Sequence, residues 1–110
     1  MKPKQWEIWL YDFQEEEPHP VVILSGEERC SNAGNFNGLF CQTLRGARPL
    51  KKHEVVLNSA DGLDWRTACR CDYFYELEEE RFVRKRGEVC LARRRVIANM
   101  IRQILRLPFD

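Results

Sequence analysis

The sequence predicts a mainly β fold: a small, strongly bent antiparallel sheet or barrel closed by one C-terminal α-helix. Two patterns support this class. Up to residue 85, short apolar segments alternate with turns rich in Gly, Pro, Asn and Asp, as in antiparallel strand proteins. From residue 88 onward, apolar residues recur at helical spacing instead. At 110 residues the chain is expected to be a single domain, residues 1–110, with one hydrophobic core.

The first strand is predicted at residues 5–13 (QWEIWLYDF). Its apolar side chains fall on both faces, which indicates a strand that is covered on both sides. The acidic residues 14–17 are expected to form a loop. Pro18 and Pro20 then hold the chain extended around His19.

The remaining strands follow from short apolar segments between turn residues. They are predicted at residues 21–24, 38–44, 53–57 and 66–75, with a short last strand at 82–85. Residues 25–37 contain two glycines and three asparagines and are predicted to form a long polar loop. Residues 45–52 form a basic turn, and residues 58–62 form the turn that leads into strand 66–75.

The last element is an amphipathic helix that begins near Glu88. Its apolar residues are Cys90, Ile97, Met100, Ile101 and Ile104. Pro108 is expected to end the helix. Arg93, Arg94 and Arg95 are interpreted as a solvated helix face, with RNA contact as the alternative.

The composition is that of an ordinary globular protein, with 44% hydrophobic and 32% charged residues. The formal net charge of +1 gives no global field that would attract a polyanion, so any nucleic-acid contact must come from a local patch. The first five residues lack the apolar segment of a signal peptide, and no segment approaches membrane-spanning length. We therefore expect a cytoplasmic protein without a membrane partner.

The five cysteines are expected to be free thiols that bind no metal. An odd number of cysteines without a secretory signal favours a reducing compartment. The pair Cys69 and Cys71 permits a zinc interpretation, but a structural zinc site needs four ligands. The other candidates are scattered singly: Cys30, Cys41, Cys90, His19 and His53. Buried thiols that act as small apolar side chains are the favoured interpretation.

Strand 66–75 contains the most informative polar pair, Arg70 and Asp72. Side chains alternate faces along a strand. One face carries Thr67, Cys69, Cys71, Tyr73 and Tyr75 and suits a core; the other carries Arg66, Ala68, Arg70, Asp72 and Phe74. The Cα atoms of Arg70 and Asp72 are about 6.5–7 Å apart, so their side chains can converge on one anion or hydroxyl. The pair is either an ion pair on a sheet surface or an acid–base pair at a site.

Several short motifs follow one another in a recognisable order. Residues 7–13 (EIWLYDF) are similar to G-[DE]-I-W-x-[VA]-x-[FL], and residues 20–25 (PVVILS) to R-P-V-[LV]-[IV]-[LV]-S. The further matches are Asn35-Phe36-Asn37, residues 54–57 (EVVL), Asp61-Gly62-Leu63, Arg70-Cys71-Asp72 and the closing Gly87. In order and spacing, this set resembles the PemK/MazF (Kid-like) toxin family of toxin–antitoxin systems over nearly the whole chain.

The resemblance implies an SH3-like β-barrel of the CcdB/MazF type (the plasmid-maintenance-toxin fold), a homodimer, and cleavage of single-stranded RNA without metal or cofactor. It also permits a cognate antitoxin peptide as a partner. In the PemK branch the Arg and Asp of R-C-D act as acid and base, and here these would be Arg70 and Asp72. A guanidinium has a pKa above about 12, so electrostatic stabilisation by Arg70 is favoured over proton donation.

The chain departs from the family pattern at three places, one of which is a loop before His19 that is shorter than usual. His19 occupies the usual Arg position before the second strand, so it is a candidate catalytic residue that supplies charge or a proton. The alternative is an exposed loop histidine. At the end of the third strand, Leu44 and Arg45 occupy the two positions where the family usually has Thr and Ser or a second Thr. Alternatively, Thr43 is the family threonine, shifted by one position. Arg45 and Thr43 are therefore candidate RNA contacts. Arg66 and Phe74, on the face of Arg70 and Asp72, complete the predicted RNA-binding set.

Three functions remain open from the sequence. The first is a toxin-like endoribonuclease that cleaves mRNA and regulates growth. The second is a catalytically degenerate barrel that binds RNA or a protein. The third is a gyrase poison like CcdB, which acts through a C-terminal tryptophan; residues 107–110 (LPFD) argue against it.

The homodimer is also predicted from apolar surface. The side chains concerned are Trp6, Trp9, Tyr11, Ile97, Ile101 and Ile104, more than a small barrel readily covers by itself.

Overall fold

The computed structural model describes residues 2–15, 17–32 and 34–108. Within these ranges the strands are β1 (Glu7–Tyr11), β2 (His19–Ile23), β3 (Asn35–Thr43), β4 (Glu54–Leu57), β5 (Thr67–Glu78) and β6 (Phe82–Glu88). The helices are α1 (Glu27–Asn32) and α2 (Leu91–Leu105), and 3-10 turns occupy Ser59–Asp61 and Glu79–Arg81. The predicted mainly β class with a C-terminal helix is confirmed. Of the segments discussed above, Met1, Glu16 of the acidic loop, Ala33 of the polar loop, and Phe109 and Asp110 lie outside the described residues.

The strands form one antiparallel sheet in the order β4-β5-β3-β2-β1-β6, so β4 and β6 are its edges. The β3–β5 ladder contains a large irregularity. Leu39 pairs with Phe74 and Cys41 pairs with Cys69, so Phe40 alone lies opposite residues 70–73. Extra residues on one strand bend it and strengthen its twist. Arg70 and Asp72 both lie in this bulge.

A buried apolar cluster covers each face of the sheet, as the apolar side chains on both faces of the first strand predicted. On one face Ile8, Val22, Leu39, Cys69 and Ile97 belong to a buried cluster against which helix α2 packs. On the other face a second cluster is closed by α1. Its buried members are Trp9, Tyr11, Val21, Ile23, Cys30, Phe36 and Leu77. Neither α-helix in the described ranges has the length and apolar character needed to cross a membrane.

The prediction of a long polar loop at residues 25–37 is wrong. The segment contains helix α1, and strand β3 begins at Asn35. Asn35 and Asn37 are exposed and pair with Glu78 and Glu76, while Phe36 between them is fully buried. The asparagines occupy the solvent face of a strand, so their turn-forming composition was misleading.

Other boundaries shift by a few residues. Strand β6 extends to Glu88, so helix α2 begins at Leu91 rather than near Glu88. The helix ends at Leu105, before Pro108. Strand β5 continues to Glu78, beyond the predicted residue 75.

The side chains that predicted a homodimer are largely used within the chain. Trp9 and Tyr11 are only 4% and 3% exposed, and Ile97 is fully buried. Trp6, Ile101 and Ile104 are partly buried against the core. They are therefore not surplus apolar surface, and the homodimer stays a prediction without this support.

The cysteines lie mostly in the interior. Cys69 and Cys71 are fully buried, which confirms their interpretation as core residues. The neighbouring Cys41 thiol and burial raise the pKa of the Cys69 thiol, and the Cys69 thiol and burial raise that of Cys71. None of the five cysteines forms a disulfide. Among the described residues, no cluster of His, Cys, Asp or Glu is arranged to hold a metal ion, and the absence of metal stays a prediction.

The carboxylate of Asp61 joins the β4–β5 connection to helix α2. Its side chain is fully buried and forms an ion pair with Arg93 of the helix. The backbone N–H groups of Cys90 and Asn58 each donate a hydrogen bond of 2.9 Å to it. Burial opposes ionisation, but the bonds from Cys90, Asn58 and Arg93 outweigh it and hold the pKa of Asp61 below its ordinary value.

The same connection packs directly on strand β6. A Cβ atom added at Gly87 would lie 2.2 Å from the carbonyl oxygen of Asp61, so only glycine fits there. Gly62 adopts a φ of +83°, the left-handed conformation that glycine tolerates best. The Asp61-Gly62 pair and Gly87 therefore fix how close the turn, the edge strand and the helix approach each other.

We expect Asp61→Asn to lower the free energy of unfolding by roughly 3–5 kcal/mol at neutral pH, because it removes one partner of a buried ion pair. Since the folded-state pKa is depressed, this stabilisation is present above the unfolded pKa of about 4 and is lost as pH falls through the folded pKa. Urea titrations from pH 7 down to pH 3 should show that the unfolding free energies of the wild type and of Asp61→Asn become more similar as the pH falls. Asp64→Asn, at an exposed position three residues on, is the matched control. Equal stability of Asp61→Asn and the control at pH 7 would contradict the assigned role.

Candidate functional site

Arg70 and Asp72 lie together at the surface of the β5 bulge. The Nε atom of Arg70 is 3.6 Å from Oδ1 of Asp72, and the two side chains are 28% and 32% exposed. The guanidinium carbon of Arg70 also lies 5.0 Å from the ring centroid of Tyr73, within cation–π range. The pair is oriented by the protein and remains accessible to a substrate.

The bulge changes one part of the predicted face assignment. Tyr73 was expected to share a core-facing side of the strand with Cys71. It is instead 41% exposed and stacks on the half-buried Tyr75, with ring centroids 5.2 Å apart. Regular alternation fails because residues 70–73 all lie opposite the single residue Phe40. Phe74 is 41% exposed, as expected for the outer face.

Phe40 stands at the centre of an aromatic cluster that links His19 to Arg70. Its ring centroid is 4.8 Å from that of His19 and 5.3 Å from that of Tyr73. Phe13 and Tyr75 pack against the same ring, at 5.7 and 6.0 Å. His19 is half-buried and is the first residue of β2, so the interpretation as an exposed loop histidine is wrong.

A cleft of about 390 Å³, here called the His19 cleft, lies beside this cluster. Its lining includes His19, Gln42, Thr43, Arg45 and Arg48. Three residues predicted from the sequence, His19, Thr43 and Arg45, are thus brought to one cavity. Arg70 and Asp72 are not among the lining residues of this cleft. The aromatic cluster connects the cleft with the ion pair.

Arg48 is a residue of this cleft that the sequence did not single out. Its guanidinium donates two hydrogen bonds to the carboxylate of Glu54, at 2.9 and 3.1 Å. Glu54 is almost fully buried and also accepts the backbone N–H of Lys51 at 2.8 Å. The hydrogen bond from Arg48 is the main cause that lowers the pKa of Glu54. The basic composition of the turn at residues 45–52 could have pointed to Arg48. Its partner Glu54, however, is a buried carboxylate in β4, and nothing in the sequence of the turn indicates that pairing.

A second cleft of about 490 Å³, the Trp65 cleft, adjoins the first. It is lined by Thr43, Leu44, Arg45, Trp65 and Arg86. Thr43 and Arg45 line both clefts, so they stand at the boundary between them. Of the two positions where hydroxyl residues were expected, Leu44 is buried and apolar and Arg45 is exposed. Thr43 is therefore the accessible hydroxyl at this end of β3.

The other two predicted RNA contacts lie nearby in sequence but line neither cleft. Arg66 is exposed, and its carbonyl oxygen accepts a hydrogen bond of 2.9 Å from the N–H of Leu44. Phe74 pairs with Leu39 on the far side of the bulge.

The site therefore consists of an ion pair and an aromatic cluster around the β5 bulge, together with two adjoining clefts at the end of β3. Glu17 lines the His19 cleft beside its two arginines, whereas Arg45 and Arg86 are the charged residues of the Trp65 cleft.

Comparison with known proteins gives matches in fold alone. No protein-family model and no curated protein sequence matches the chain. Among solved structures, a mycobacterial endoribonuclease in complex with its cognate antitoxin is 20% identical, with a TM-score of 0.78 over 98% of this chain and 99% of that chain. The Mycobacterium tuberculosis toxin MazF-mt6 is also 20% identical, with a TM-score of 0.77 over 94% and 99% of the two chains.

A MazE–MazF crystal structure from Deinococcus radiodurans is more distant in sequence. Its matching chain is 14% identical, with a TM-score of 0.76 over 98% of this chain and 99% of that chain. The similarity to toxins from both sources extends over almost the whole length. The predicted MazF-type fold is therefore confirmed.

We expect Arg48→Ala to lower the melting temperature by several degrees at neutral pH, because it leaves the buried carboxylate of Glu54 without its charged partner. The double variant Arg48→Ala/Glu54→Gln should recover part of the loss, since no unpaired charge then remains. Arg45→Ala, on the same turn but exposed, is the control. Thermal unfolding followed by circular dichroism distinguishes these cases. The interpretation fails if Arg48→Ala and Arg45→Ala melt at the same temperature.

Proposed function

We propose that this chain, which has the fold of the MazF toxins, is a toxin-like endoribonuclease that cleaves single-stranded RNA, including mRNA, without a metal ion. The observation that carries the proposal is the Arg70–Asp72 pair, which is accessible and lies 3.6 Å apart in the β5 bulge. Solved structures of similar fold that are described as endoribonucleases add support.

The chemistry suits a nucleophile that RNA itself provides. The carboxylate of Asp72 takes the proton from a ribose 2′-hydroxyl, and the 2′-oxygen attacks the adjacent phosphorus. A bond forms between the 2′-oxygen and phosphorus, and the bond from phosphorus to the 5′-oxygen breaks. The guanidinium of Arg70 stabilises the additional negative charge of the transition state, which a metal ion would otherwise do. The products carry a 2′,3′-cyclic phosphate and a 5′-hydroxyl.

The leaving 5′-oxygen needs a proton, and His19 is our candidate donor. Its ring packs on Phe40, and one of the other rings that pack on Phe40 is Tyr73, which contacts Arg70. An imidazole is the side chain that most often donates or accepts a proton in catalysis close to neutral pH. Thr43, Arg45 and Arg66 would bind the RNA strand, and Phe74 offers an exposed ring beside the bulge. Arg86 of the Trp65 cleft enlarges the basic surface beyond the residues that the sequence suggested, whereas the charge of Arg48 is balanced by Glu54.

The wider role that we propose is growth regulation in a toxin–antitoxin system in the cytoplasm. Residues 1–110 would act as one domain, as a homodimer, with a cognate antitoxin peptide as the regulator. One solved structure of similar fold is described as an endoribonuclease in complex with its cognate antitoxin, and another contains MazF together with MazE. A neighbouring gene for a small antitoxin would be the simplest additional support.

One observation favours a binding module as the second candidate function. Leu44 is buried and Arg45 follows it, so the paired hydroxyls expected at this position are reduced to Thr43. A protein of this kind would retain the basic clefts and bind RNA without cleaving it.

The purified protein is expected to cleave mixed-sequence single-stranded RNA in the presence of EDTA. Asp72→Asn keeps the side-chain shape but removes the base, so the cleavage rate should fall by about 10²–10⁴ while RNA binding persists. Arg70→Ala should weaken both binding and cleavage. Asp64→Asn, an exposed carboxylate outside the site, is the matched control and should retain full activity. Binding of RNA without cleavage at any pH or metal concentration would favour the binding module.

His19→Phe tests the proton donor without removing the ring that packs on Phe40. If His19 protonates the leaving oxygen, the wild-type rate should fall at high pH and the variant should lose this alkaline limb. Steady-state cleavage rates measured from pH 5 to pH 9 would show the difference. An unchanged profile in His19→Phe would mean that the residue has only a packing role.

A further inference from the structure

Trp65 is a large aromatic side chain held in solvent by a fixed backbone. It is 65% exposed. Its carbonyl oxygen accepts a hydrogen bond of 3.1 Å from the hydroxyl of Thr67, a residue that is itself buried. The carbonyl oxygen of the next residue, Arg66, accepts the N–H of Leu44 at 2.9 Å. The backbone that carries the indole is therefore anchored at this point of the surface, although neither the core nor the proposed catalysis uses the side chain.

The surroundings of this indole favour a flat, negatively charged ligand. In the Trp65 cleft the charged lining residues are Arg45 and Arg86, and none of the described carboxylates lines it. The volume of about 490 Å³ lies within the range of roughly 300–1,000 Å³ that ligand pockets occupy. An aromatic platform between cationic groups is the arrangement that binds single-stranded nucleic acid, with a base on the ring and phosphates on the cations.

The Trp65 cleft also continues the surface assigned to RNA. Thr43 and Arg45 line both it and the His19 cleft. A strand that contacts Arg45 can therefore extend in one direction toward His19 and in the other toward Trp65.

We propose that Trp65, Arg45 and Arg86 form a stacking subsite for one unpaired nucleobase and its adjacent phosphate. The base lies on the indole, next to the nucleotide in the His19 cleft. This proposal deepens the proposed function, because it rests on RNA as the ligand of the same surface. Every base has a π-face, so the subsite strengthens binding with little sequence preference.

A second copy of this chain is the competing occupant of an exposed tryptophan. In a two-fold symmetric dimer through this cleft, the same patch would contribute from both copies. Arg45 and Arg86 would then approach their own counterparts without a carboxylate in the lining to neutralise them. The charge of the cleft therefore favours a polyanion over a second copy.

The probe for the test is a short mixed-sequence 2′-O-methyl RNA with a fluorescent label, which cannot be cleaved by attack of its 2′-oxygen. Fluorescence anisotropy should show that Trp65→Ala loses roughly 5- to 150-fold in affinity, whereas Trp65→Phe retains most of it. Arg86→Ala should reduce the slope of log affinity against log salt by about one, and Trp65→Ala should not change that slope. Leu91→Ala, at a 78% exposed apolar position on α2, is the matched control.

Replacement of single nucleotides of the probe by abasic residues locates the base. At one position the abasic probe should weaken wild-type binding but cause no further loss in Trp65→Ala. Equal affinity of wild type and Trp65→Ala, or dissociation of a dimer in Trp65→Ala by light scattering, overturns the subsite. Cleavage of unmodified RNA is measured separately for the wild type and for Trp65→Ala. If the wild type cleaves RNA but Trp65→Ala binds the probe equally well, the subsite alone is refuted. If affinity depends on Trp65 but the wild type does not cleave, the endoribonuclease alone is refuted.

Discussion

The buried carboxylate of Asp61 is the interaction on which the arrangement of the other elements depends. It accepts hydrogen bonds from the turn at Asn58 and from Cys90 at the start of α2, and it pairs with Arg93 within that helix. A charge out of contact with water is tolerated only when its partners are complete. The helix, the β4–β5 connection and Gly87 of β6 are thus fixed against one another, and α2 can cover one face of the sheet.

The motifs that carried the family resemblance are largely structural. Glu7 accepts the indole N–H of Trp9 at 3.0 Å and forms an ion pair with Lys85 of β6 at 3.0 Å. Gly87 is required by its approach to Asp61. These motifs are good evidence for the fold because each satisfies a buried polar group or a close contact. Apart from Arg70-Cys71-Asp72, the motifs say little about catalysis. A chain can therefore keep them while His19 and Arg45 occupy the positions of other residues.

The bulge opposite Phe40 determines the chemistry that the surface can support. It exposes Tyr73, places Arg70 over that ring, and leaves the Arg70–Asp72 pair accessible. Phe40 also packs on His19, so one aromatic side chain connects the ion pair with the His19 cleft. The proposed ribonuclease uses the surface around this irregularity. The proposed stacking subsite lies beyond the end of β3, where Thr43 and Arg45 line both clefts.

Periodicity and motifs were enough to predict the fold class, the helix at the C-terminus and the candidate residues Arg70, Asp72, His19, Thr43 and Arg45, because both are local properties of the chain. Three features became visible only in the folded chain: residues 35–37 belong to a strand, Tyr73 faces solvent, and Arg48 and Trp65 line the clefts. Strand pairing, a bulge and a buried carboxylate partner such as Glu54 join residues that are distant in sequence. Local patterns carry no information about such contacts, because burial depends on what the rest of the chain places opposite each residue.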